Sequence, residues 1–588
     1  MIRKLIAPAG FLVLTGVEGA AQTTPTRTIV TRRALPLRRF VCCLLLGIYG
    51  ALSSPSGVLV AQPAAAVKKY LVAWTGDQGL DGHEDPDFLA IIDATPNSPT
   101  YGKVVNTAAL PCIVGANLLD QLGILPGATS CRFNEPHHFS DPWTDPVTKH
   151  KFIFAGGLIS ANVFAFDVTD PLHIPTATLA VDARAIHNFA AVDDFVVVPN
   201  GHVVATVMAS KTLGTPGGLI EFSPYGASTF LAEHPAAIVG GPTRFMPSIF
   251  GETDTGLLAH PHSIRQRADL DVLVTSDYVA PSSIAVVTHF NQPADYGTTV
   301  RMWQLSNLGA GPQKVVQVPD GPRHERNPME EEPVGLMSGA ITHKHEHKGH
   351  FTSSMCGGVL YYCPNVTATN PVYYEVYDFG PGTGASLMSI SDNDKFLLQP
   401  LSGMASPGDP EYDRDYAGEH SRRVVVLDIR ALLAAGENVQ CGPPPVTNDS
   451  SGYTIGFSGH NNGASDCPVE TSVVHVDSPL NFASNGGPHD LTLDRTNHYV
   501  AFQDYFVDLR NLGLPGTASV GDLKIYMAKF NKGTGVLELD TTFRDEITGE
   551  LGVNFNRPSW YVWPGGQGAT GTAKPHDIQF IEVPDSGD

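Results

Sequence analysis

The sequence predicts an all-β fold, a β-propeller with long inserted loops. Three observations lead to this prediction: short β-branched strands, abundant turn residues, and histidines that recur where strands begin. Past about residue 68 the chain is a succession of short apolar runs, such as Phe195-Val-Val-Val and Arg423-Val-Val-Val-Leu-Asp-Ile. Glycine (59 residues) and proline (46) supply the backbone angles that tight turns between strands require. Helical periodicity is scarce, and Ile429 to Gly436 is the best short helix candidate.

The histidines form a weak repeat. At six places a histidine stands at the start of an apolar run: Pro136-His137-His138-Phe139, Ile186-His187-Asn188-Phe189, Pro261-His262-Ser263-Ile264, the segment Ile341 to His350, Pro488-His489-Asp490-Leu491 and Pro575-His576-Asp577-Ile578. Such serial strand starts suggest propeller blades, whose innermost strands begin at a central channel. Seven blades over residues 67–588 would take about 75 residues each, more than the ~40–50 of a compact blade. Long inserted loops are therefore required, and residues 402–422 and 436–470 are the candidates.

Residues 1–66 have the features of an export signal. Arg32-Arg33 and Arg38-Arg39 precede an apolar run from Phe40 to Tyr49, and small residues follow up to Ala66. Both the general and the twin-arginine export routes stay open. An uncleaved anchor is the alternative, but the run is short for a membrane span. We therefore expect a periplasmic or secreted protein in which residues 67–588 form one propeller domain, with no stable membrane insertion after signal removal.

The exported chain would be strongly acidic. Residues 67–588 carry 30 basic and 58 acidic side chains, a formal charge of −28. Such a surface repels phosphate backbones and anionic lipid headgroups, because like charges raise the free energy of association. Nucleic acid is therefore excluded as the expected partner.

Six cysteines remain after residue 66, in three couples that are close in sequence. An even number in an exported chain predicts disulfides that close short loops. The predicted pairs are Cys112–Cys131, Cys356–Cys363 and Cys441–Cys467. The alternative is that some of these cysteines bind copper or selenium.

The recurrent histidines are candidate metal ligands, since neutral imidazole offers a lone pair near physiological pH. Blade-equivalent positions converge on the axis of a propeller, and imidazole sites without thiolate suit copper, zinc or iron. The candidate ligands are His137, His138, His187, His262, His343, His489 and His576. A hydrogen-bonded turn residue is the alternative for each one alone, and an exposed polar loop is the alternative for the His343–His350 segment. Asp490 and Asp577 could orient imidazoles or cap turns.

Several segments match one protein family in order along the chain. The most specific is Asp87 to Val105 (DFLAIIDATPNSPTYGKVV), and the others are Glu135-Pro-His-His-Phe, Ala155 to Val168, Asn200-Gly-His-Val-Val, Gly217-Gly-Leu-Ile-Glu-Phe, Leu387 to Leu397, Gly486-Gly-Pro and Ala573-Lys-Pro-His-Asp. In these segments the chain resembles the selenium-binding protein family, whose members include copper-dependent methanethiol oxidases. The resemblance covers nearly all of residues 67–588.

The resemblance implies a seven-bladed propeller whose channel histidines hold copper. The positions that match family histidines are His137 or His138, His187, His343 and His576. His262 and His489 are departures, because the family has Tyr-like and Gln-like residues there. The family's cysteine-containing stretch after the His-His pair is also absent, which leaves selenium binding open.

The resemblance further implies an enzyme, a copper-dependent oxidase of methanethiol or a similar small thiol. The family reaction uses oxygen and yields formaldehyde, hydrogen sulfide and hydrogen peroxide. Glu135 is the candidate proton acceptor beside the metal, and a solvated turn residue is the alternative. A periplasmic copper-binding protein without catalysis is the competing function, favoured if only the exposed His343–His350 segment binds metal. A propeller hydrolase of the lactonase kind would need oxygen-rich calcium ligands where this chain has histidines.

Overall fold

The structure is a computed structural model that describes residues 67–79, 85–181, 189–210, 216–222, 244–247, 259–281, 296–319, 334–355, 358–379, 383–403, 422–435, 447–449, 452–454, 469–476, 486–509, 518–519, 521–557, 560 and 571–584. By its contacts the chain divides into Met1–Ala64 and Ala65–Asp588. The first unit contains most of the predicted export signal and lies outside the described residues, so export stays a prediction. Among the described residues, no helix has the length and apolar character needed to cross a membrane.

The second unit is a seven-bladed β-propeller built from antiparallel sheets. Within each blade the strands are named from the innermost outward, and any short paired strand comes last. Blade 1 contains Ala573–Pro584, Val67–Asp77, Phe88–Asp93 and Val104–Ala109; blade 2, Pro136–Phe139, Lys151–Gly157, Asn162–Asp167, Thr178–Val181 and the short Trp143–Thr144; blade 3, Phe189–Val197, Val203–Ser210, Gly218–Phe222 and Arg244–Pro247. Blade 4 contains Pro261–Arg267, Val272–Asp277, Thr299–Gln304 and Pro312–Gln317; blade 5, Leu336–Ile341, His350–Ser354, Val359–Cys363 and Tyr374–Asp378. Blade 6 contains Thr383–Ala385, Phe396–Gly403, Arg423–Asp428, Glu470–His475 and the short Ser389–Ile390; blade 7, Asp490–Leu493, Tyr499–Gln503, Lys524–Asn531, Val536–Leu539 and the short Val553–Asn554.

Smaller elements lie between the blades. Two hairpins pair Thr447–Asp449 with Gly452–Thr454 and Val507–Asp508 with Ala518–Ser519. The α-helices are Leu118–Gln121 and Ile429–Ala435, and the 3₁₀ helices are Ala268–Leu270 and Leu305–Ala310. The predicted short helix at residues 429–436 is thus confirmed. Most of the predicted loop insertions at 402–422 and 436–470 lies outside the described residues.

Blade 1 closes the ring. Its innermost strand comes from the C-terminal part of the chain and pairs antiparallel with Val67–Asp77, with Tyr70 opposite Ile581 and Ala73 opposite Ile578. The innermost strands of neighbouring blades contact one another around the axis. A closed ring removes free sheet edges and fixes the innermost strands relative to each other. The axis is therefore a rigid place for a site.

The core explains why alternation is weak in the sequence. Seven apolar clusters lie between neighbouring blades, and an eighth lies at the axis. A blade sheet is covered on both faces, so its middle strands are apolar on both sides, as in the fully buried Phe88–Asp93. Such strands appear as continuous β-branched runs rather than alternating ones.

The cysteines give a mixed result. The predicted Cys112–Cys131 disulfide is confirmed. The predicted Cys356–Cys363 disulfide is wrong, because Cys363 is a buried free cysteine. It ends the strand Val359–Cys363 and packs in the apolar cluster between blades 4 and 5. The extended strand carries Cys363 about 14 Å beyond Val359, and its thiol lies among apolar side chains. Cys356, Cys441 and Cys467 lie outside the described residues.

Candidate metal centre

Five of the seven candidate histidines converge on the axis. His137, His138, His262 and His576 belong to innermost strands, and His489 directly precedes one. The measured centroid-to-centroid distances between neighbouring rings of this set run from 4.0 Å (His137 to His576) to 6.2 Å (His138 to His489). All five rings are almost fully buried. Histidines at equivalent positions of different blades therefore form one site, although they span more than 400 positions of sequence.

A sixth member, Asp193, was not predicted from the sequence. It lies on the innermost strand of blade 3, Phe189–Val197, and is fully buried. Ala191, two residues earlier, has a positive φ of 61°, and the pairing of this strand with Val203–Ser210 shifts register nearby. The sequence signal that could have found it is the acidic pair Asp193-Asp194 inside an otherwise apolar run, since buried carboxylates are rare without a partner.

The donor atoms of this cluster lack hydrogen-bond partners. Both Asp193 carboxylate oxygens and both ring nitrogens of His262 and His576 are buried and unpartnered, as are one nitrogen each of His137, His138 and His489. A buried polar atom without a partner costs about 1–3 kcal/mol. Several unpartnered donor atoms in one buried cluster are expected of a metal site in the absence of its ion. The combination of imidazole and carboxylate ligands suits a first-row transition metal. The cluster therefore fits a metal ion.

The spacing of the donor atoms supports the same conclusion. Asp193 oxygens lie 3.7 Å from His137 Nε2, 3.5 Å from His138 Nε2 and 3.5 Å from His262 Nε2. Hydrogen bonds of this kind are shorter, about 2.7–3.2 Å. Two ligands that bind one ion at about 2.0–2.1 Å are separated by about 3.3–3.6 Å for angles between tetrahedral and trigonal. The distances are thus wide for hydrogen bonding and suitable for coordination.

The donors fall into two groups that share His138. The four-donor group contains His137, His138, Asp193 and His262, and the three-donor group contains His138, His489 and His576. Within each group all donor atoms lie within 4.8 Å of one another. Blades 7, 1, 2, 3 and 4 supply these residues, so two neighbouring blades, 5 and 6, contribute none of them.

Electrostatics keep the rings in the ligand form. Burial, reinforced by the neighbouring imidazoles, lowers the pKa well below its ordinary value in four rings: His137, His262, His489 and His576. Burial also lowers the pKa of His138. The pKa of Asp193 is raised well above its usual range by burial first and then by Asp194 and Asp577. A bound cation would supply the missing counter-charge for Asp193.

One side of the cluster is apolar. The axial apolar cluster includes Tyr278, Met337, Leu387 and Phe506. The Phe506 ring lies 4.5 Å from the His489 ring, and the Tyr278 ring lies 5.2 Å from the His262 ring. Met337 belongs to the innermost strand of blade 5, and Leu387 lies between the two short inner strands of blade 6. The two blades without ligands therefore present apolar side chains to the axis.

A cavity of about 580 Å³ borders His138. Its ionisable lining residues are Asp141, Asp194, Arg265, His343, Asp392, Asp490 and Asp577, and its apolar lining includes Leu387 of the axial apolar cluster. Asp577 Oδ2 accepts a hydrogen bond from the Phe139 backbone N–H at 2.8 Å and lies 3.5 Å from His138 Nδ1. Burial raises the pKa of Asp577 to about 7. Five carboxyl groups beside one arginine favour cations in this cavity when the carboxyl groups are ionised.

Comparisons with known proteins agree with this fold. No family model matches the chain. It is 23% identical over 261 residues to a methanethiol oxidase of Hyphomicrobium sp, covering 43% of this chain and 49% of that one. It is 24% identical over 277 residues to a methanethiol oxidase of Ruegeria pomeroyi, covering 44% and 54%. The solved structure of a hypothetical selenium-binding protein from Sulfolobus tokodaii superposes with a TM-score of 0.54, at 14% identity, over 88% of this chain and 94% of that one.

The chain is a distant relative of the methanethiol oxidases and selenium-binding proteins. The matches span about half the length of the two curated relatives. The structural likeness concerns the fold alone. The seven-bladed propeller that the sequence resemblance implied is confirmed.

Glu135 lies outside the ligand cluster, in a buried ion pair. Its Oε2 lies 2.7 Å from Lys574 Nζ, and its Oε1 accepts hydrogen bonds from the Tyr505 hydroxyl and the Asp508 backbone N–H. The Tyr505 ring in turn lies 5.8 Å from the His576 ring. Glu135 is therefore neither a solvated turn residue nor in contact with a ligand in this network. Through its ion pair with Lys574, Glu135 connects the segment that precedes His137 with the segment that precedes His576.

The remaining histidine candidates lie elsewhere. His187 lies outside the described residues. His343 is exposed, and its Nε2 contacts the Ile390 carbonyl at 3.1 Å. The rings of His345 and His347 contact Asp269 and Asp394 at 3.0 and 2.9 Å. The exposed loop that was the alternative for the His343–His350 segment does not extend to His350, because His350 begins the strand His350–Ser354 and its buried Nδ1 contacts the Tyr373 hydroxyl at 2.8 Å. The His343–His350 segment forms no metal-binding group among the described residues.

Proposed function

We propose that this protein is a copper-dependent oxidase of methanethiol or a similar small thiol, exported to the periplasm or the outside, with oxygen as the electron acceptor. The observation that carries the proposal is the buried cluster of five histidines and one aspartate with unpartnered donor atoms. Its place at the axis of a propeller related to methanethiol oxidases supports the same activity. The histidines and Asp193 would hold the copper.

Bound copper would supply a Lewis acid that lowers the pKa of the thiol and a redox centre that passes electrons to oxygen. The protein would do the rest. His137, His138 and His262 orient neutral nitrogens inward, and Asp193 neutralises part of the cationic charge. The apolar wall formed by Met337, Leu387 and Phe506 accepts the methyl group of a small thiol and excludes water from one side.

The proposed reaction balances. One methanethiol, one oxygen and one water give one formaldehyde, one hydrogen sulfide and one hydrogen peroxide. Two electrons pass from the methyl carbon to oxygen, and the C–S bond breaks as water oxygen becomes the carbonyl oxygen. The cavity beside His138, with its carboxyl groups, offers a route for water and protons. The apolar wall, which reaches this cavity at Leu387, offers a place for the alkyl group.

The test is oxygen uptake by copper-loaded protein on addition of methanethiol. We expect thiol-dependent oxygen consumption with hydrogen sulfide and hydrogen peroxide in equal amounts. His576→Ala should abolish it, whereas the matched control His345→Ala should not, because His345 is exposed and outside the cluster. Full copper occupancy without thiol-dependent oxygen uptake would contradict the proposal and support a copper-binding protein without catalysis.

A further inference from the structure

We infer that the centre binds two metal ions, one in the four-donor group and one in the three-donor group. The inference rests on the metal centre of the proposed function and does not depend on thiol oxidation. It names the sites, the ligands of each and the different chemistry that each can perform.

The number of donors is the first argument. Five imidazoles and one carboxylate exceed the four ligands of a tetrahedral first-row ion. An ion that binds its ligands at about 2.0–2.1 Å cannot have two of them farther apart than about 4.2 Å. The donor atoms form two groups, each within 4.8 Å, that have His138 in common. The rings of His137 and His576, one from each group, also lie 4.0 Å apart. Two neighbouring ions can use all six side chains as ligands with the blades in their present positions.

The unpartnered atoms are the second argument. An ion in the four-donor group would be bound by His137, His138, Asp193 and His262. His489 Nε2 and both nitrogens of His576 would then remain buried and without a hydrogen bond. A second ion held by His489, His576 and the shared His138 would make a ligand of one nitrogen in each ring. His138 would serve both ions as an imidazolate, with one ring nitrogen for each ion.

The two sites differ in coordination. The four-donor group supplies a complete set of four protein ligands, which is typical of a closed site. The three-donor group supplies three, which leaves a position for an exogenous molecule, as in catalytic metal sites. His489 and His576 of that group both lie against Phe506, with ring distances of 4.5 and 6.3 Å. The open position therefore belongs to the three-donor group and lies near the apolar wall, where a small thiol would bind.

Metal content tests the number of ions. The protein is saturated with Cu(II), and separately with Zn(II), desalted, and measured by elemental analysis against protein concentration. We expect two ions per chain in the wild type and in the control His345→Ala. His489→Gln should retain one, and so should the double variant His137→Ala with His262→Ala, because each leaves one group with only two ligands. Far-UV circular dichroism checks that each variant is folded, and Asp193→Ala with His262→Ala replaces the double variant if it fails to fold. One ion per chain at saturation in the wild type, or two ions in His489→Gln, would overturn the inference.

Electron paramagnetic resonance gives a second measure. Two adjacent Cu(II) ions couple, so the integrated spin of the wild type should fall below its copper content. In His489→Gln, and in the double variant His137→Ala with His262→Ala, the spin and the copper content should be equal. A wild type whose full copper content appears as isolated spins would contradict adjacent sites.

Azide tests which site is open. It should add a charge-transfer absorption to wild type and to the double variant His137→Ala with His262→Ala, but not to His489→Gln. An azide band that persists in His489→Gln would refute the assignment of the open position. Two bound ions without thiol oxidation would refute only the proposed function, whereas thiol oxidation with one bound ion would refute only this inference.

Discussion

Lys574 and Glu135 form a buried ion pair, and each stands two residues before a histidine of the metal centre. Lys574 Nζ lies 2.7 Å from Glu135 Oε2, and both side chains are almost completely shielded from solvent. Lys574 precedes His576 on blade 1, and Glu135 precedes His137 on blade 2. Glu135 also has a positive φ of 47° directly before Pro136, a conformation that is unfavourable for a residue with a side chain. The pair therefore holds two ligand-bearing segments together and stabilises a strained backbone.

Breaking this pair should destabilise the protein. Lys574→Met leaves the Glu135 carboxylate buried without its cation, which costs about 3–5 kcal/mol of unfolding free energy. Urea denaturation measures the loss. The double variant Lys574→Met with Glu135→Gln should recover part of it, because no unpaired charge remains. Lys532→Met is the control, since Lys532 pairs with Asp392 on the surface and should change the stability by less than about 1 kcal/mol. Equal losses for the two lysines would contradict the structural role of Lys574.

Asp193→Asn should act in opposite directions on the metal-free and metal-bound protein. Without metal, the substitution replaces a carboxyl group whose pKa is raised well above its usual range by burial with a neutral amide, so the metal-free protein should become more stable near neutral pH. With metal, a ligand and a negative charge are lost, and metal affinity should fall at least about 10-fold. Thermal melts with and without metal measure both effects. A metal-free variant that melts lower than the metal-free wild type would argue against an unpaired carboxylate.

Removing the metal should leave the fold in place. The seven clusters between blades and the pairing of Val67–Asp77 with Ala573–Pro584 stabilise the ring independently of an ion. Because an ion binds only the native state, metal at about 1,000 times its dissociation constant adds about 4 kcal/mol. Chelation should therefore lower the melting temperature while the far-UV circular dichroism spectrum stays the same. Loss of the β-sheet spectrum on chelation at 25 °C would show instead that the metal is required for folding.

Leu387→Ala should change the preference among thiols. Leu387 belongs to the axial apolar cluster, and its backbone N–H donates to the His489 carbonyl at 3.0 Å. Shortening this side chain enlarges the space for the alkyl group, and one or two carbons in an apolar pocket are worth about 10-fold or more in discrimination. We expect the ratio of kcat/KM for propanethiol over methanethiol to rise about 10-fold. Leu172→Ala is the control, because Leu172 is exposed. An unchanged ratio would place the alkyl group elsewhere.

The cysteines should differ in reactivity. Cys363 is buried and free, and burial raises the pKa of its thiol, so alkylating reagents should label it only after denaturation. Peptide mapping under non-reducing conditions should recover Cys112 linked to Cys131. A peptide in which Cys363 is linked to Cys356 would contradict the structure.

The sequence alone determined the architecture and most residues of the candidate metal centre. Short β-branched runs and turn residues predicted blades, and histidines at strand starts predicted an axial site, because both patterns are local and repeat with the blades. His137, His138, His262, His489 and His576 meet there. His262 and His489 are the two positions where the chain departs from the family it resembles, and the residue pattern singled them out without it.

Only the tertiary structure decided how these residues are used. Asp193 joins the histidines because a positive φ at Ala191 and a register shift occur within one strand, and neither is encoded in a motif. Glu135 pairs with Lys574, which is 439 residues away along the chain, so its partner could not be inferred from its neighbours. Cys363 and His350 are buried by packing between sheets, a property that depends on which faces meet. Local sequence patterns determine the secondary structure of each segment. Contacts between distant segments determine which charged groups, metal-donor atoms and thiols have a partner.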